Sequence, residues 1–274
     1  MRWIILLVGL LGGVQSCFGP SIQGRVVDVQ GGSLPGVAVN VVNTGDQDLT
    51  TPLGEYRVRY EPGHVELEFL KTGYTRGRLE MTLEEARNVS ARDVMLWPLP
   101  QAKGVYFFAN FRYRATAALE PQAFETANLG TVYGTEHWTD VQTVDAAPVL
   151  IAHRLPLAGL RMHRMELREL FVEEPSGGTR SVEAWTRAGE VPIDGQYLDE
   201  DGALLQVILT DELDPGAYAV HWGALEGDPA VDTRIFFFSI LPSLAPDLPG
   251  AMEEEAPEDG GEAPENGDGE GEET

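Results

Sequence analysis

Short runs that alternate apolar and polar residues, broken by Gly and Pro, recur along most of this chain. Such runs, about 8–12 residues apart, favour a fold built from β-strands. Val37, Val39 and Val41 share one face at period two, with Asn40 on the other. Tyr56, Val58 and Tyr60 alternate with Glu55, Arg57 and Arg59, and Val65, Leu67 and Phe69 alternate with Glu66 and Glu68. Between them stand the turn sequences Gly31-Gly32-Ser33-Leu34-Pro35-Gly36, Glu61-Pro62-Gly63 and Thr72-Gly73. Strands apolar on one side need a second layer to cover that side, so residues 21–98 are predicted to form a β-sandwich closed by a strand from Val89 to Leu96. The chain holds one cysteine, Cys17. No intramolecular disulfide can form, and thiolate zinc sites are excluded, so the cores alone must hold the fold.

Trp97-Pro98-Leu99-Pro100 reads as a linker or a boundary. Beyond it, residues 103–241 are again β-rich. A strong strand is expected from Gly104 to Arg114, carrying Tyr106, Phe107, Phe108, Phe111 and Tyr113. Further strands are expected at Met165–Val172, Val182–Arg187, Leu204–Thr210, Ala217–Trp222 and Thr233–Leu241, with turns at Asp201-Gly202 and Asp214-Pro215-Gly216. Ile235-Phe236-Phe237-Phe238 is apolar on both faces, as a central buried strand would be. The Ala and Glu content of Ala115–Ala127 permits a short helix interrupted by Pro121, and Asp145–Arg161 reads as an excursion over the sheet. The expected class is all-β: two sandwiches, the second Ig-like or irregular.

Within the first region, five pieces follow in order: Ile22-Gln23-Gly24-Arg25-Val26-Val27-Asp28, Leu34-Pro35-Gly36-Val37, Thr51-Pro52-Leu53-Gly54-Glu55-Tyr56, Tyr60-Glu61-Pro62-Gly63 and Lys71-Thr72-Gly73-Tyr74. The ordered set resembles the carboxypeptidase regulatory-like domain, a transthyretin-like sandwich. One departure is Thr51-Pro52-Leu53-Gly54, where the family more often has Asp or Asn before the Gly. The resemblance implies a non-catalytic folding and adhesion module with no cofactor. It carries no site residue onto this chain. Some relatives of the fold bind carbohydrate, but Tyr56 and Tyr60 fall on the expected core face.

The first sixteen residues read as an export signal: Met1-Arg2-Trp3, an apolar run from Ile4 to Leu11, then Gly12-Gly13-Val14-Gln15-Ser16. The run is shorter than the about 20 apolar residues that span a bilayer. Val14-Gln15-Ser16-Cys17 resembles a lipobox, which implies cleavage before Cys17 and acylation of its thiol. The match is incomplete at Val14 and Gln15, and ordinary secretion is the alternative. Residues 17–20 would then be a lipidated N-terminus and short linker. Phe18, in place of Asp, resembles an outer-membrane-directed lipoprotein, so the membrane is the first expected partner, through the lipid. The formal charge is −25. It argues against nucleic acid as a partner, which needs a basic surface. Residues 242–274 form a Pro-, Gly- and Glu-rich tail. Its stretch Ala251–Thr274 holds eleven Asp and Glu and no aromatic residue, and the composition predicts disorder. Removing those eleven acids leaves −14, still acidic.

A search for chemistry finds no catalytic set. The five histidines, His64, His137, His153, His163 and His221, form no His-Glu-x-x-His helix motif, and exposed or edge positions are expected for them. No Gly-x-Ser-x-Gly elbow is present. Asp199-Glu200-Asp201-Gly202 invites calcium, but the bidentate acid of an EF-hand would fall on Thr210, so a hairpin turn is expected. No metal ligand or catalytic residue is assigned. Trp138, Trp185 and Trp222 are the candidate ligand contacts, because an exposed aromatic row would suit sugar stacking. The function read from sequence is a membrane-anchored, non-catalytic structural or binding module. Its partners would be an envelope protein or glycan. The alternatives are a carbohydrate- or peptide-binding protein, and an enzyme with an acidic site in the second domain.

Overall fold

A computed structural model describes residues 19–136, 138, 143–144, 146–229 and 231–241. The signal segment, Cys17, His137 and the acidic tail lie outside them. All described residues fall in one compact unit.

The first body holds β1 (Ser21–Asp28), β2 (Ala38–Val41), β3 (Gln47–Leu49), β4 (Glu55–Arg59), β5 (Gly63–Leu70), β6 (Gly77–Leu83), β7 (Val89–Ser90) and β8 (Val94–Leu96). One sheet has the order β4-β1-β7, with β8 also on β1; the other is β3-β2-β5-β6. The alternating residues turn inward as expected. Val37, Val39, Val41, Tyr56, Val58, Val65, Leu67 and Phe69 form one core with Ile22, Val26 and Leu96. The expected closing strand is two short ones, both parallel to β1; the Ala91 amide still donates to the Gln23 carbonyl at 2.8 Å, and Arg92 and Asp93 then leave the ladder.

The departure in Thr51-Pro52-Leu53-Gly54 does not disturb the turn. The Thr51 hydroxyl accepts hydrogen bonds from the Leu53 and Glu55 amides at 3.3 and 3.2 Å, which hold it closed. Gly54 then adopts φ 74°, and a side-chain carbon there would lie 2.5 Å from the Val26 carbonyl oxygen.

The second body holds β9 (Gly104–Ala109), β10 (Arg112–Ala115), β11 (Ala117–Leu119), β12 (Gln122–Thr126), β13 (Gly130–Thr135), β14 (Thr143–Val144), β15 (Leu150–His153), β16 (Arg161–Glu173), β17 (Thr179–Glu190), β18 (Ile193–Tyr197), β19 (Leu204–Leu209), β20 (Gly216–His221) and β21 (Ile235–Ile240). A five-stranded sheet, β10-β9-β15-β19-β18, faces a larger sheet that begins β11-β21-β20-β16. Val105, Phe107, Leu150, Ala152, Leu205 and Val207 meet Tyr218, Val220, Trp222, Phe236 and Phe238 between them. The other face of β20 and β21 is covered too. Ala219, Ile235 and Phe237 pack there under Leu225 of a short 3-10 helix, Ala224–Glu226. Every residue from Ile235 to Ile240 is buried, as a doubly covered strand requires.

Beyond a register shift at Arg164/Met165, β16 leaves the main sheet. It pairs with β17, β17 with β13, β13 with β12, and β12 again with β16. The four strands close on themselves around Phe124, Leu170, Val172, Val182 and Ala184. Three expectations are corrected here. Ala115–Ala127 is strand, because Ala117 and Leu119, then Phe124 and Thr126, bury at period two. Asp145–Arg161 contains β15, whose three apolar residues and His153 are all buried in the middle of its sheet. Gly104–Arg114 is a hairpin, β9 and β10, with Asn110 and Phe111 at its tip.

Gly54→Ala is expected to cost about 2–4 kcal/mol, from the left-handed backbone and the close approach together. Urea unfolding followed by tyrosine fluorescence checks this. An unchanged midpoint would show that the turn does not require glycine.

Candidate binding surfaces and the strap between the sandwiches

Trp97-Pro98-Leu99-Pro100, expected to be a linker or a boundary, is hydrogen-bonded on both sides, and the contacts continue to Ala102 and Lys103. Pro98 and Pro100 have no N–H and favour extended backbone, so few donors need partners. On the side of the first sandwich, the Thr75 amide donates to the Trp97 carbonyl at 2.8 Å. The Trp97 amide donates to the Thr75 hydroxyl at 3.0 Å, and the Leu99 amide to the Gly73 carbonyl at 2.8 Å. On the other side it meets the outward face of β9 and β10. The Tyr113 hydroxyl donates to the Pro98 carbonyl at 2.9 Å and the Tyr106 hydroxyl to the Ala102 carbonyl at 2.7 Å. The Trp97 and Phe108 rings lie 5.3 Å apart. Burial holds the Tyr113 hydroxyl well above its usual pKa, so it stays a donor. At the end of the strap, Lys103 pairs with Asp232 at 2.9 Å. The buried Asp232 carboxylate is kept far below the usual range, first by hydrogen bonds from the Arg234 side chain and also by Lys103.

Two exposed ion pairs also cross between the sandwiches, Arg76–Asp201 at 3.6 Å and Arg78–Glu200 at 3.3 Å. Exposed pairs contribute about 0–1 kcal/mol each. The hydrogen bonds and ring contacts of the strap therefore carry the junction. Beside these pairs lies an open groove of about 560 Å³ lined by Lys71, Tyr74, Leu99, Asp199 and Asp201. The Asp199 carboxylate accepts from the Ala203 and Leu204 amides at 3.1 and 2.8 Å. It thus shapes the expected hairpin turn. Among the described residues, no group of three or more His, Cys, Asp and Glu is placed to hold a metal ion.

Asn110 and Phe111 at the tip of β9–β10 have φ 48° and 60°. This two-residue turn normally takes Asn-Gly. Phe111 instead holds a bulky side chain in the left-handed region, about half exposed, with its ring 6.4 Å from Phe108. Sequence reasoning missed it as a surface contact; the signal was an Asn inside an aromatic run.

The three candidate tryptophans do not form a displayed row. Trp222 is fully buried, and its indole N–H donates to the Pro156 carbonyl at 2.7 Å. That corrects its reading as a ligand contact: the strand period places it with Tyr218 and Val220 between the sheets. Trp138 and Trp185 are half-buried, 4.9 Å apart edge to face, and both rest on Phe237.

The histidines are also corrected. His64 is exposed, but His153, His163 and His221 are buried. His153 Nδ1 donates to the Ala102 carbonyl at 2.8 Å and so holds the strap. His163 on β16 and His221 on β20 stack, with Nδ1 of the first 2.9 Å from Nε2 of the second. The Gly223 amide donates to His221 Nδ1 at 3.1 Å, so that nitrogen carries no proton. His221 Nε2–H therefore donates to His163 Nδ1, and both rings are neutral. Burial, then the neighbouring His163, Arg161 and Arg187, pushes His221 down to about 3. His163 is lowered as well, chiefly by burial, with Glu190 and Glu226 opposing and Arg187 and Arg161 assisting.

Residues 21–96 match the family model of the carboxypeptidase regulatory-like domain. This first sandwich is a domain of that kind. No curated protein matches the chain at a significant level. Among solved structures, a type II cohesin–X-dockerin complex from Acetivibrio cellulolyticus is 11% identical, covering 36% of this chain and 66% of that one, with a TM-score of 0.27. A streptococcal ancillary pilin is 13% identical, covering 84% and 61%, with a TM-score of 0.26. The major pilin subunit of Bacillus cereus is 11% identical, covering 82% and 69%, with a TM-score of 0.24. The chain spans less than two thirds of the length of the first two.

The histidine pair gives a pH dependence of definite sign. Both folded values lie below the ordinary one, so the folded state resists protonation. Its stability is complete above about pH 6.5 and falls as the pH drops toward 3. The slope is about 1.4 kcal/mol per pH unit for each proton the unfolded chain holds in excess. Chemical denaturation from pH 7.5 to 4.5 should show this decline, and a His163→Leu/His221→Leu double variant should flatten it. An equal slope in both proteins would contradict the assignment.

Proposed function

We propose that this protein is a non-catalytic module of the bacterial cell envelope, held to the outer membrane by acyl chains on Cys17. The observation that carries the reading is the strap: residues 97–103 are bonded to both sandwiches, which makes one stiff body of two modules. A stiff body attached at one end can hold a binding surface away from the membrane. The buried polar groups that sequence could have offered to catalysis serve the fold instead. His153 fixes the strap, His163 and His221 bridge β16 and β20, and Asp232 joins Lys103 to Arg234. The carboxypeptidase regulatory-like match supports a non-catalytic role for the first sandwich. No helix among the described residues is long and apolar enough to cross a membrane.

The anchor rests on the sequence around Cys17. Each buried methylene adds about 0.8 kcal/mol, and stable attachment takes more than one chain. A lipoprotein's two or three chains meet that condition. Metabolic labelling with a clickable palmitate, followed by membrane fractionation, tests the reading. The wild-type chain should be labelled and sediment with membranes, and Cys17→Ser should be unlabelled and soluble. Labelling that survives the substitution would overturn it.

A further inference from the structure

Ser21, where β1 begins, is 3% exposed and is held from two sides. The Arg57 Nε–H donates to its hydroxyl at 3.0 Å, and that hydroxyl donates to Asn88 Oδ1 at 2.8 Å. One residue earlier, the Pro20 carbonyl accepts from the Tyr60 amide at 3.3 Å. The buried Tyr60 hydroxyl lies 2.8 Å from both the Glu85 and the Arg87 carbonyls and accepts from the Arg87 amide at 3.2 Å. The connection between β6 and β7 is thereby locked around the point where the chain enters the fold. Gly63 at the start of β5 stands opposite Leu83 at the end of β6, so the two sheets finish together here.

This pole is the end of the first sandwich opposite the strap. β1 starts at it, beside Arg59 of β4, and ends at Asp28, beside Leu96, after which the strap begins. β5 runs the same way, from Gly63 at the pole to Leu70, and Tyr74 just beyond it pairs with Pro98. The 8 residues of β1 set the two ends about 25 Å apart, at about 3.3 Å per residue.

We infer that this pole, made by residues 59–64 and 83–88, rests on phospholipid headgroups, and that the first sandwich is a spacer holding the second off the bilayer. The inference rests on the acyl anchor proposed above and adds the surface that meets the lipid. Phe18 and Gly19 alone stand between Cys17 and the pinned Pro20. Those three steps reach about 11 Å at most. The headgroup layer outside the hydrocarbon is itself about 5–7 Å thick. The gap that remains is shorter than an arginine side chain, so the tether presses the pole against the headgroups. The charges agree with this placement. The pole carries Arg57, Arg59 and Arg87 beside Glu61, Glu84 and Glu85, in a chain of formal charge −25. An anionic bilayer repels the acidic remainder and tolerates this neutral end, whose guanidinium groups suit phosphate oxygens.

Hydroxyl-radical footprinting read by mass spectrometry tests it. The chain from Cys17 onward, which holds every described residue, is coupled through its one thiol to vesicles of phosphatidylethanolamine and phosphatidylglycerol bearing a maleimide lipid. The same chain with its thiol capped, free in solution, is the reference. Coupling should lower the oxidation of the exposed Pro62 and His64 several-fold and leave Met95, beside the strap, and Phe111 unchanged. A flexible Gly-Ser spacer of about 20 residues, inserted after Gly19, should restore the oxidation of Pro62 and His64. Equal protection of Met95 and Phe111, or no protection of Pro62 and His64, would overturn the inference, as would protection that the spacer leaves unchanged. Chemical coupling stands in for acylation, so these outcomes are read separately from palmitate labelling of Cys17.

Discussion

The contacts of residues 97–103 with both sandwiches decide what kind of object this protein is. Two sandwiches with separate cores, joined by a free linker, would reorient on their own. Here the connecting backbone is bonded to Gly73 and Thr75 on one side and is held by Tyr106, Tyr113 and His153 on the other. The prolines matter because they remove donors that burial would leave unpaired. The aromatic residues matter because each supplies both apolar area and a hydroxyl or ring against the strap. The exposed ion pairs across the junction add little beside them.

The second sandwich depends on a sheet covered on both faces. Double coverage explains the apolar run through β21, and it also explains why histidines lie inside. His163 and His221 occupy positions where a sheet open to water would place exposed polar residues. Buried between layers, they satisfy each other as neutral rings and leave no charge in the core. The same layout takes Trp222 out of contact with solvent, while Phe111 stands about half exposed at the tip of its hairpin.

The first sandwich was largely legible from sequence, because its strands are half-buried and alternate plainly. Val37 to Val41 and Tyr56 to Tyr60 turn inward as their period requires. The second was legible in strand positions and less so in arrangement. The closed four-stranded turn of β12, β13, β16 and β17 depends on a register shift at Arg164/Met165, and no local pattern announces which partner a strand will leave or join. β15 was missed because a buried strand lacks alternation, and β11–β12 because alanine suits a helix when neighbours are ignored. The inward orientation of Tyr56 could be read from its period. That its hydroxyl has no hydrogen-bond partner among the described residues could not.

The stiffness of the junction is measured most directly by the distance between spin labels at Arg59→Cys in β4 and Gln196→Cys in β18, in a Cys17→Ser background. Both positions are exposed, and each lies in a strand of its own sandwich. Double electron–electron resonance should give one narrow distance distribution that broadens when Trp97→Ala and Tyr113→Ala remove the strap's anchors. A broad distribution in the intact strap, or one unchanged by its loss, would contradict the account.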